Sequence, residues 1–253
     1  DILRAGGNAF DAAVTAVATA CVAEPVLASL GGGGFFLARR ADAPDDATLY
    51  DFFTQTPKQR RPMAETEFLP VLADFGMVTQ EFHIGGGTCA TPGMVAGLSI
   101  IQGDLCRMSP VEHFAHAIQL ARGGLRVNDF QSFLFEVVSA IYSGDPESIA
   151  CFGDASGKLA PLGALVMNPD LADTLEALAC DGERLFSEGE IAAEICAFSA
   201  DHGGHLSMAD LSGYGVERRV PLRIDYRGAA ILTNPPPSTG GLLIAFALRL
   251  MEK

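Results

Sequence analysis

Residues 6–13 read Gly6-Gly7-Asn8-Ala9-Phe10-Asp11-Ala12-Ala13, a pattern that predicts the start of a helix. Asn8 follows two flexible glycines and is a favoured N-cap residue, while Asp11, three positions on, puts a negative charge in the first helical turn. An alanine-rich run without charge continues to Glu24, and Pro25 cannot extend a helix. We predict a core helix over residues 8–24, packed on most of its sides.

A second glycine-rich stretch lies further along the chain. Four consecutive glycines, residues 31–34, precede an apolar run that passes into charge at residues 39–40. A turn-rich segment and a second short apolar run at 48–53 follow, so we predict a β-hairpin. The glycines lack a Gly-Lys-Ser/Thr ending and a G-x-G-x-x-G pattern, which favours a tight turn into a buried strand over a phosphate-binding loop.

Helix caps and apolar periodicity indicate further elements downstream. Ser109-Pro110-x-Glu112 is a capping box with proline at the first helical position, and it predicts a helix that ends near Arg122. We predict other helices over residues 94–102, 128–143, 170–181, 188–201 and 240–253, and a strand or hairpin over residues 223–233.

Composition limits the classes of function. The chain has 253 residues, of which 49% are hydrophobic, enough for a substantial core. Its 31 acidic and 17 basic residues give a formal charge of -14, which opposes binding to phosphate backbones. We therefore predict no nucleic-acid partner. The longest apolar candidate, residues 12–23, is too short to span a bilayer, so we also predict no membrane insertion.

Cysteine and histidine spacing gives little support for a metal site. The six cysteines form no Cys-x-x-Cys pair, so we expect free and mostly buried thiols, and the compartment stays open. His113 and His116 lie three residues apart on a predicted helix, but no carboxylate or cysteine nearby in the sequence completes a ligand set. We predict no metal. His202 and His205 flank a Gly-Gly helix exit, where an imidazole commonly caps carbonyl groups.

Several blocks of the sequence occur in the order found in γ-glutamyltransferases. Besides residues 6–13, these blocks are Gly31-Gly32-Gly33-Gly34-Phe35, Thr91-Pro92-Gly93-Met94-Val95-Ala96-Gly97, Gln119-Leu120-Ala121-Arg122-Gly123-Gly124, Asp225-Tyr226-Arg227-Gly228 and Pro235-Pro236-Pro237-Ser238-Thr239-Gly240-Gly241. The whole chain thus resembles the large-subunit region of that family and its acylase-like relatives. The resemblance implies an α/β (α+β) fold, namely part of the αββα sandwich of N-terminal-nucleophile hydrolases. We expect residues 1–253 to form one such region, truncated at both ends.

The resemblance also implies a reaction. Family members are precursors that cut themselves into large and small subunits, and the new N-terminal threonine attacks γ-glutamyl or related acyl amides such as glutathione. Such a threonine can use its own α-amine as the base, so no metal or organic cofactor is expected. The threonine lies downstream of the block at residues 235–241, so no catalytic residue is assigned here. Ser238 and Thr239 are expected to support the active site, and the small subunit is the expected partner.

One position departs from the family pattern. Asp51-Phe52-Phe53-Thr54-Gln55-Thr56-Pro57 stands where the family has Asp-Phe-Arg-Glu-x-Ala-Pro, whose arginine pairs with the α-carboxylate of the glutamyl group. Phe53 occupies the arginine position and Thr54 the next one, so both are candidate substrate-binding residues. A charge-assisted hydrogen bond contributes about 1.5–3 kcal/mol, and phenylalanine cannot supply it.

Three explanations of this departure remain open. Arg60 or Arg61 restores the charge, the pocket takes a more apolar acyl group as in an acylase, or the protein is a non-catalytic binding protein with the same fold.

Overall fold

The computed structural model describes residues 1–154 and 156–252, and it is a mixture of helices and small antiparallel sheets. The helices are α1 (Ala9–Ala23), α2 (Met94–Leu105), α3 (Pro110–Gly123), α4 (Asp129–Val137), α5 (Ser139–Tyr142), α6 (Pro146–Phe152), α7 (Pro169–Asp181), α8 (Arg184–Ser187), α9 (Glu190–Asp201), α10 (Met208–Ser212) and α11 (Thr239–Leu250). The strands are β1 (Gly34–Arg39), β2 (Ala47–Phe52), β3 (Leu69–Asp74), β4 (Thr79–Ile84), β5 (Leu125–Arg126), β6 (Leu165–Val166), β7 (Glu217–Arg219), β8 (Leu222–Tyr226) and β9 (Ala229–Thr233).

Helix α1 begins as the sequence predicts. The Asn8 side chain accepts hydrogen bonds from the backbone N–H groups of Phe10 and Asp11, and the Asp11 carboxylate accepts one from the Asn8 N–H at 2.6 Å. This reciprocal cap confirms the predicted helix start. The prediction of packing on most sides holds for the larger part of the helix, because only Ala9 and Ala16 are exposed and its other residues are buried or half-buried. Small side chains of α1, Ala16 among them, line an open groove between α1 and α3.

The helical layer is built around α3. This helix packs against both α1 and α7, with Phe114 and Ala117 from α3 and Leu175 from α7 in the core. The capping box is confirmed, because the Glu112 carboxylate accepts hydrogen bonds from the backbone N–H and the hydroxyl of Ser109 at 2.8 Å. Burial of the face of α3 that carries Phe114 and Ala117 stabilises the helical layer more than helix propensity alone can.

The predicted hairpin is confirmed as β1 and β2 of a three-stranded antiparallel sheet in the order β1-β2-β7, in which β2 is the central strand. Alternate residues of β1 point to opposite faces. Phe36 and Ala38 pack toward the core, whereas Phe35 and Leu37 are exposed on the other face. Helix α2 covers the inner face of β2, where the Phe52 ring lies against Gly97. The hairpin predicted over residues 223–233 is also confirmed, as β8 and β9.

The other predicted helices are confirmed with shifted ends, but two sequence expectations are wrong and one hairpin was not foreseen. The helix predicted over 128–143 divides at Val138, where the backbone leaves helical geometry (φ -96°, ψ 12°) and two successive β-branched residues weaken helix propensity. The hairpin of β3 and β4 was not predicted, because its strands do not alternate cleanly between apolar and polar residues. The thiols are not mostly buried, because Cys89, Cys151 and Cys180 are exposed and, of the six cysteines, Cys21 alone is fully buried.

Two further observations concern the end of α11 and the length and polarity of the helices. Helix α11 ends at Leu250, while Lys253, to which the sequence extended it, lies outside the described residues. Across residues 1–154 and 156–252, each helix is either too short or too polar to cross a lipid bilayer.

Candidate functional site

The turn formed by glycines 31–34 is hydrogen-bonded to the start of α2. The Gly32 carbonyl accepts hydrogen bonds from the backbone N–H groups of Gly93 (2.9 Å) and Met94 (3.0 Å). A Cβ atom on Gly33 would lie 2.6 Å from the Phe52 carbonyl oxygen and 2.7 Å from the Thr54 nitrogen. Only glycine allows the two chain segments to approach this closely. The turn therefore fixes the backbone of the segment that carries the candidate residues Phe53 and Thr54.

Phe53 directly follows β2, and both its backbone N–H and its carbonyl group are hydrogen-bonded. Its N–H donates to Oδ1 of Asp51 at 3.2 Å, and its carbonyl accepts a hydrogen bond from the Tyr214 hydroxyl at 2.8 Å. Burial and the nearby Asp51 charge raise the pKa of Tyr214 to about 12, so this hydroxyl stays a donor at neutral pH. The Phe53 side chain is 56% exposed, while Thr54 is half-buried.

Neighbouring contacts hold the rest of this segment. Oδ2 of Asp51 accepts a hydrogen bond from Nε of Arg219 on β7 at 2.7 Å, which forms a half-buried ion pair. Gln55 and Thr91 exchange two backbone hydrogen bonds, of 3.0 and 2.8 Å, in an isolated bridge. Residues 51–55 are thus anchored to β7 and to the segment before α2.

Arg60 and Arg61 make other contacts instead of turning toward Phe53. Nη1 of Arg61 donates to the carbonyl of Ala200 at the end of α9 (2.9 Å), and its backbone N–H donates to Nδ1 of His205 (3.2 Å). Nη2 of Arg60 contacts the sulfur of Met63 at 3.0 Å. The geometry therefore does not favour the explanation in which one of these arginines restores the charge at Phe53.

Ser238 and Thr239 lie at the start of α11, in a different element from Phe53 and Thr54. Ser238 is the N-cap residue by backbone position, but its side chain makes no capping hydrogen bond. Its N–H donates to the Pro235 carbonyl at 3.1 Å, and Thr239 is exposed. Within residues 1–154 and 156–252, no side-chain hydrogen bond joins this pair to Phe53 or Thr54.

A buried polar cluster near the start of α1 was missed by the sequence reasoning. Asp11 and His113 are both 0% exposed, and Nε2 of His113 lies 2.9 Å from Oδ1 of Asp11. The same oxygen accepts hydrogen bonds from the backbone N–H groups of Arg107 (3.0 Å) and Met108 (2.9 Å). Burial alone would raise the pKa of Asp11, but these hydrogen bonds, with that from Asn8, hold it well below its ordinary value.

The partner of each ring nitrogen indicates which nitrogen of His113 carries the proton. Nε2 of Gln102 donates to Nδ1 of His113 (3.0 Å), so the histidine proton is on Nε2 and is donated to Asp11. Cys106 lies beside them, and burial followed by the negative charge of Asp11 raises the pKa of its thiol to about 12. Asp11, Cys106 and His113 are close enough to share a cation. Hydrogen bonds already satisfy the Asp11 carboxylate. The cluster therefore fits a role in stabilising the fold better than a role in binding a metal.

The remaining candidate histidines have local contacts. His116 is exposed on the groove side of α3, away from buried His113. Nδ1 of His202 lies 2.9 Å from the carbonyl of Phe198, the helix-exit contact that the sequence indicated.

Comparison with known proteins identifies the fold. The structure superposes on the crystal structure of Helicobacter pylori gamma-glutamyltranspeptidase with a TM-score of 0.86 at 28% identity, covering 99% of this chain and 70% of that one. The fold is therefore that of an N-terminal-nucleophile hydrolase, as the sequence resemblance implied.

Sequence comparisons agree. The family profile described as Gamma-glutamyltranspeptidase matches residues 1–253, and the chain belongs to this family. It is 34% identical over its full length to the glutathione hydrolase proenzyme of Escherichia coli strain K12, and covers 42% of that protein. It is 31% identical to the acylase ACY 1 proenzyme of Pseudomonas sp. strain V22, with 99% of this chain and 45% of that protein covered. The chain thus spans less than half the length of these curated relatives.

Proposed function

We propose that the polypeptide containing this chain is an N-terminal-threonine amidohydrolase or acyltransferase that acts on γ-glutamyl or related acyl amides, glutathione among them. The observation that carries the proposal is the superposition of 99% of the chain on a gamma-glutamyltranspeptidase at a TM-score of 0.86. Relatives named glutathione hydrolase proenzyme and acylase proenzyme support a self-processing precursor.

The proposed reaction uses a threonine downstream of this chain. Its α-amine takes the proton of its own hydroxyl, and the hydroxyl oxygen attacks the amide carbonyl of the substrate. The amine of the substrate leaves with a proton, and an acyl ester remains on the threonine. Water then releases the acid, or an acceptor amine takes the acyl group. Nucleophile and base come from one residue, so we expect no metal or organic cofactor.

The part of this chain in the reaction is to shape the site. We propose that Phe53 and Thr54 contact the acyl group of the substrate, since the segment that carries them is rigidly anchored and Phe53 is exposed. We propose that Ser238 and Thr239 support the active site from the start of α11. The N–H groups at that helix start suit a polar neighbour.

The proposed partner is the small subunit made from the same precursor. Helix α11 has large apolar side chains that are unusually open to solvent, among them Leu243 (65%) and Phe246 (64%). An exposed apolar surface of this kind marks a surface that another part of the protein covers. The curated relatives are more than twice as long as this chain, so we propose that the remainder of the precursor covers α11.

A non-catalytic binding protein is the second candidate, and the specific observation behind it is Phe53 at the position of the family arginine. Release of para-nitroaniline from acyl anilides by the purified full-length protein distinguishes the two candidates. The proposal expects release that is abolished when the first threonine of the small fragment is replaced by alanine. Absence of release from every acyl anilide, with an uncut precursor, would support the binding protein instead.

A further inference from the structure

The ring of Phe53 is stacked on the ring of Phe35. The sequence analysis does not predict this contact. The two ring centroids lie 5.5 Å apart with an interplanar angle of 16°. Phe35 is 37% exposed and Phe53 is 56% exposed, so the stacked pair presents an apolar surface to solvent. Aromatic pairs at this spacing attract each other beyond simple burial, and their shared face suits apolar chains and other rings.

The backbone beneath the stack is rigid. Phe35 lies in β1 opposite Asp51 of β2, and Asp51 in turn accepts the N–H of Phe53. The Tyr214 hydroxyl donates a hydrogen bond to the Phe53 carbonyl, and the backbone at Gly33 packs closely against that of Phe52 and Thr54. A surface that is held in place before a ligand arrives loses little entropy on binding.

The charges around the stack do not favour an anionic group. Arg219, a cation of this sheet, is paired with Asp51 at 2.7 Å. Lys58, further along the same segment, donates through Nζ to the Ala209 carbonyl at 3.0 Å, and Arg61 is bound to Ala200. A substrate carboxylate placed on the stack would receive no hydrogen bond from either ring and would lie near the Asp51 carboxylate, which is opposite Phe35 in the sheet, so its desolvation would be poorly compensated.

We propose that the Phe35–Phe53 stack is the acyl subsite and that it selects an uncharged, apolar acyl group. The preferred substrate class is then an amide whose acyl chain ends in an aryl or alkyl group, in place of the amino-acid end of a γ-glutamyl group. This inference rests on the proposed function, which puts Phe53 in contact with the acyl group. Phe35 is the added specificity residue.

The test uses the full-length protein and three para-nitroanilides that share one leaving group: γ-glutamyl, glutaryl and 4-phenylbutyryl. The glutaryl probe keeps a terminal carboxylate but lacks the amine, whereas 4-phenylbutyryl is uncharged. We expect kcat/KM for the 4-phenylbutyryl probe to exceed kcat/KM for each of the two acidic probes by about tenfold or more. This is the degree of discrimination that an apolar pocket achieves.

Three variants assign the effect to the stack. Phe53→Arg should shift the preference toward the acidic probes by about tenfold. Phe35→Leu keeps apolar volume but removes the ring, and should lower kcat/KM for 4-phenylbutyryl roughly three- to tenfold with little effect on the glutaryl probe. Phe130→Leu is the matched control, because Phe130 is 54% exposed on α4 and should leave all ratios unchanged.

Self-cleavage of each variant, read by mass, reports whether its fold is intact. A self-cleaved wild type that prefers the γ-glutamyl probe, or a Phe53→Arg variant with unchanged ratios, would overturn the inference and leave the proposed function standing. Loss of self-cleavage in Phe35→Leu would overturn the role of Phe35 in specificity, because it would show that this side chain is needed for the fold itself. A wild type that neither cleaves itself nor hydrolyses any probe would overturn the proposed function, and the inference with it.

Discussion

Asp11 on α1 and His113 on α3 are fully buried and joined by a 2.9 Å contact between Oδ1 and Nε2 across 102 positions of sequence. The same carboxylate caps α1 through the Asn8 N–H and holds the backbone that precedes α3 at Arg107 and Met108. One side chain thus connects a helix start, a loop and a second helix. The arrangement joins the two helices that form the centre of the helical layer.

Replacing Asp11 by alanine should destabilise the protein by about 3 kcal/mol, because it leaves buried backbone N–H groups and His113 without their acceptor. Urea unfolding of the full-length protein at pH 7 measures the change. Asp129→Ala is the control. Asp129 is an exposed acidic residue in the first turn of α4, so its loss should cost less than about 1 kcal/mol. Equal costs for the two variants would show that the buried cluster contributes no more than an exposed helix charge.

The contribution of Asp11 to stability should depend on pH. Its pKa is lowered in the folded protein, so the stabilisation is fully present above its unfolded value, about 3.9, and is lost as pH falls toward the folded pKa. The difference in unfolding free energy between wild type and Asp11→Asn should therefore be constant near pH 6–7 and narrow below about pH 4. A difference that widens on acidification would contradict a lowered pKa for Asp11.

Two glycines of α2 should respond oppositely to alanine. A Cβ atom at Gly97 would collide with the Phe52 ring, which is 4% exposed, so Gly97→Ala should cost about 1–3 kcal/mol. At Gly103 the same atom would meet nothing within 4 Å, and Gly103→Ala should stabilise by roughly 0.5–1 kcal/mol through helix propensity. Thermal unfolding of the two variants checks the pair. A stabilised Gly97→Ala variant would mean that α2 does not pack closely on β2.

The exposed apolar face of α11 should be needed for subunit association. Phe246→Glu puts a charge on that face and should weaken the complex of the two fragments by about tenfold or more, because an unpaired charge would be buried. Gel filtration of the processed protein at decreasing concentration measures this. Met77→Glu, at a 98% exposed position in the turn between β3 and β4, is the control and should leave the complex intact. Unchanged association of Phe246→Glu would exclude α11 from the interface.

Local features of this fold could be predicted from sequence. The caps at Asn8 and Ser109 and the hairpin after the glycine turn each depend on residues within a few positions of one another. The pairing of Asp11 with His113 could not be predicted, since it requires α1 and α3 to be packed already. In the sequence, Asp11 indicates only an acidic residue in a first helical turn, and His113 has only His116 as a titratable neighbour at helical spacing. The Phe35–Phe53 stack was missed for the same reason, because strand pairing sets which side chains meet across β1 and the end of β2.

If the proposed function is right, this fold belongs to a precursor that cuts itself and exposes a nucleophilic threonine. Intact mass with N-terminal sequencing of the purified full-length gene product reveals that cut. We expect two fragments, the larger containing residues 1–253 and the smaller beginning with threonine. A single uncut chain would rule out self-processing and would leave a protein that keeps the fold of the family without its chemistry.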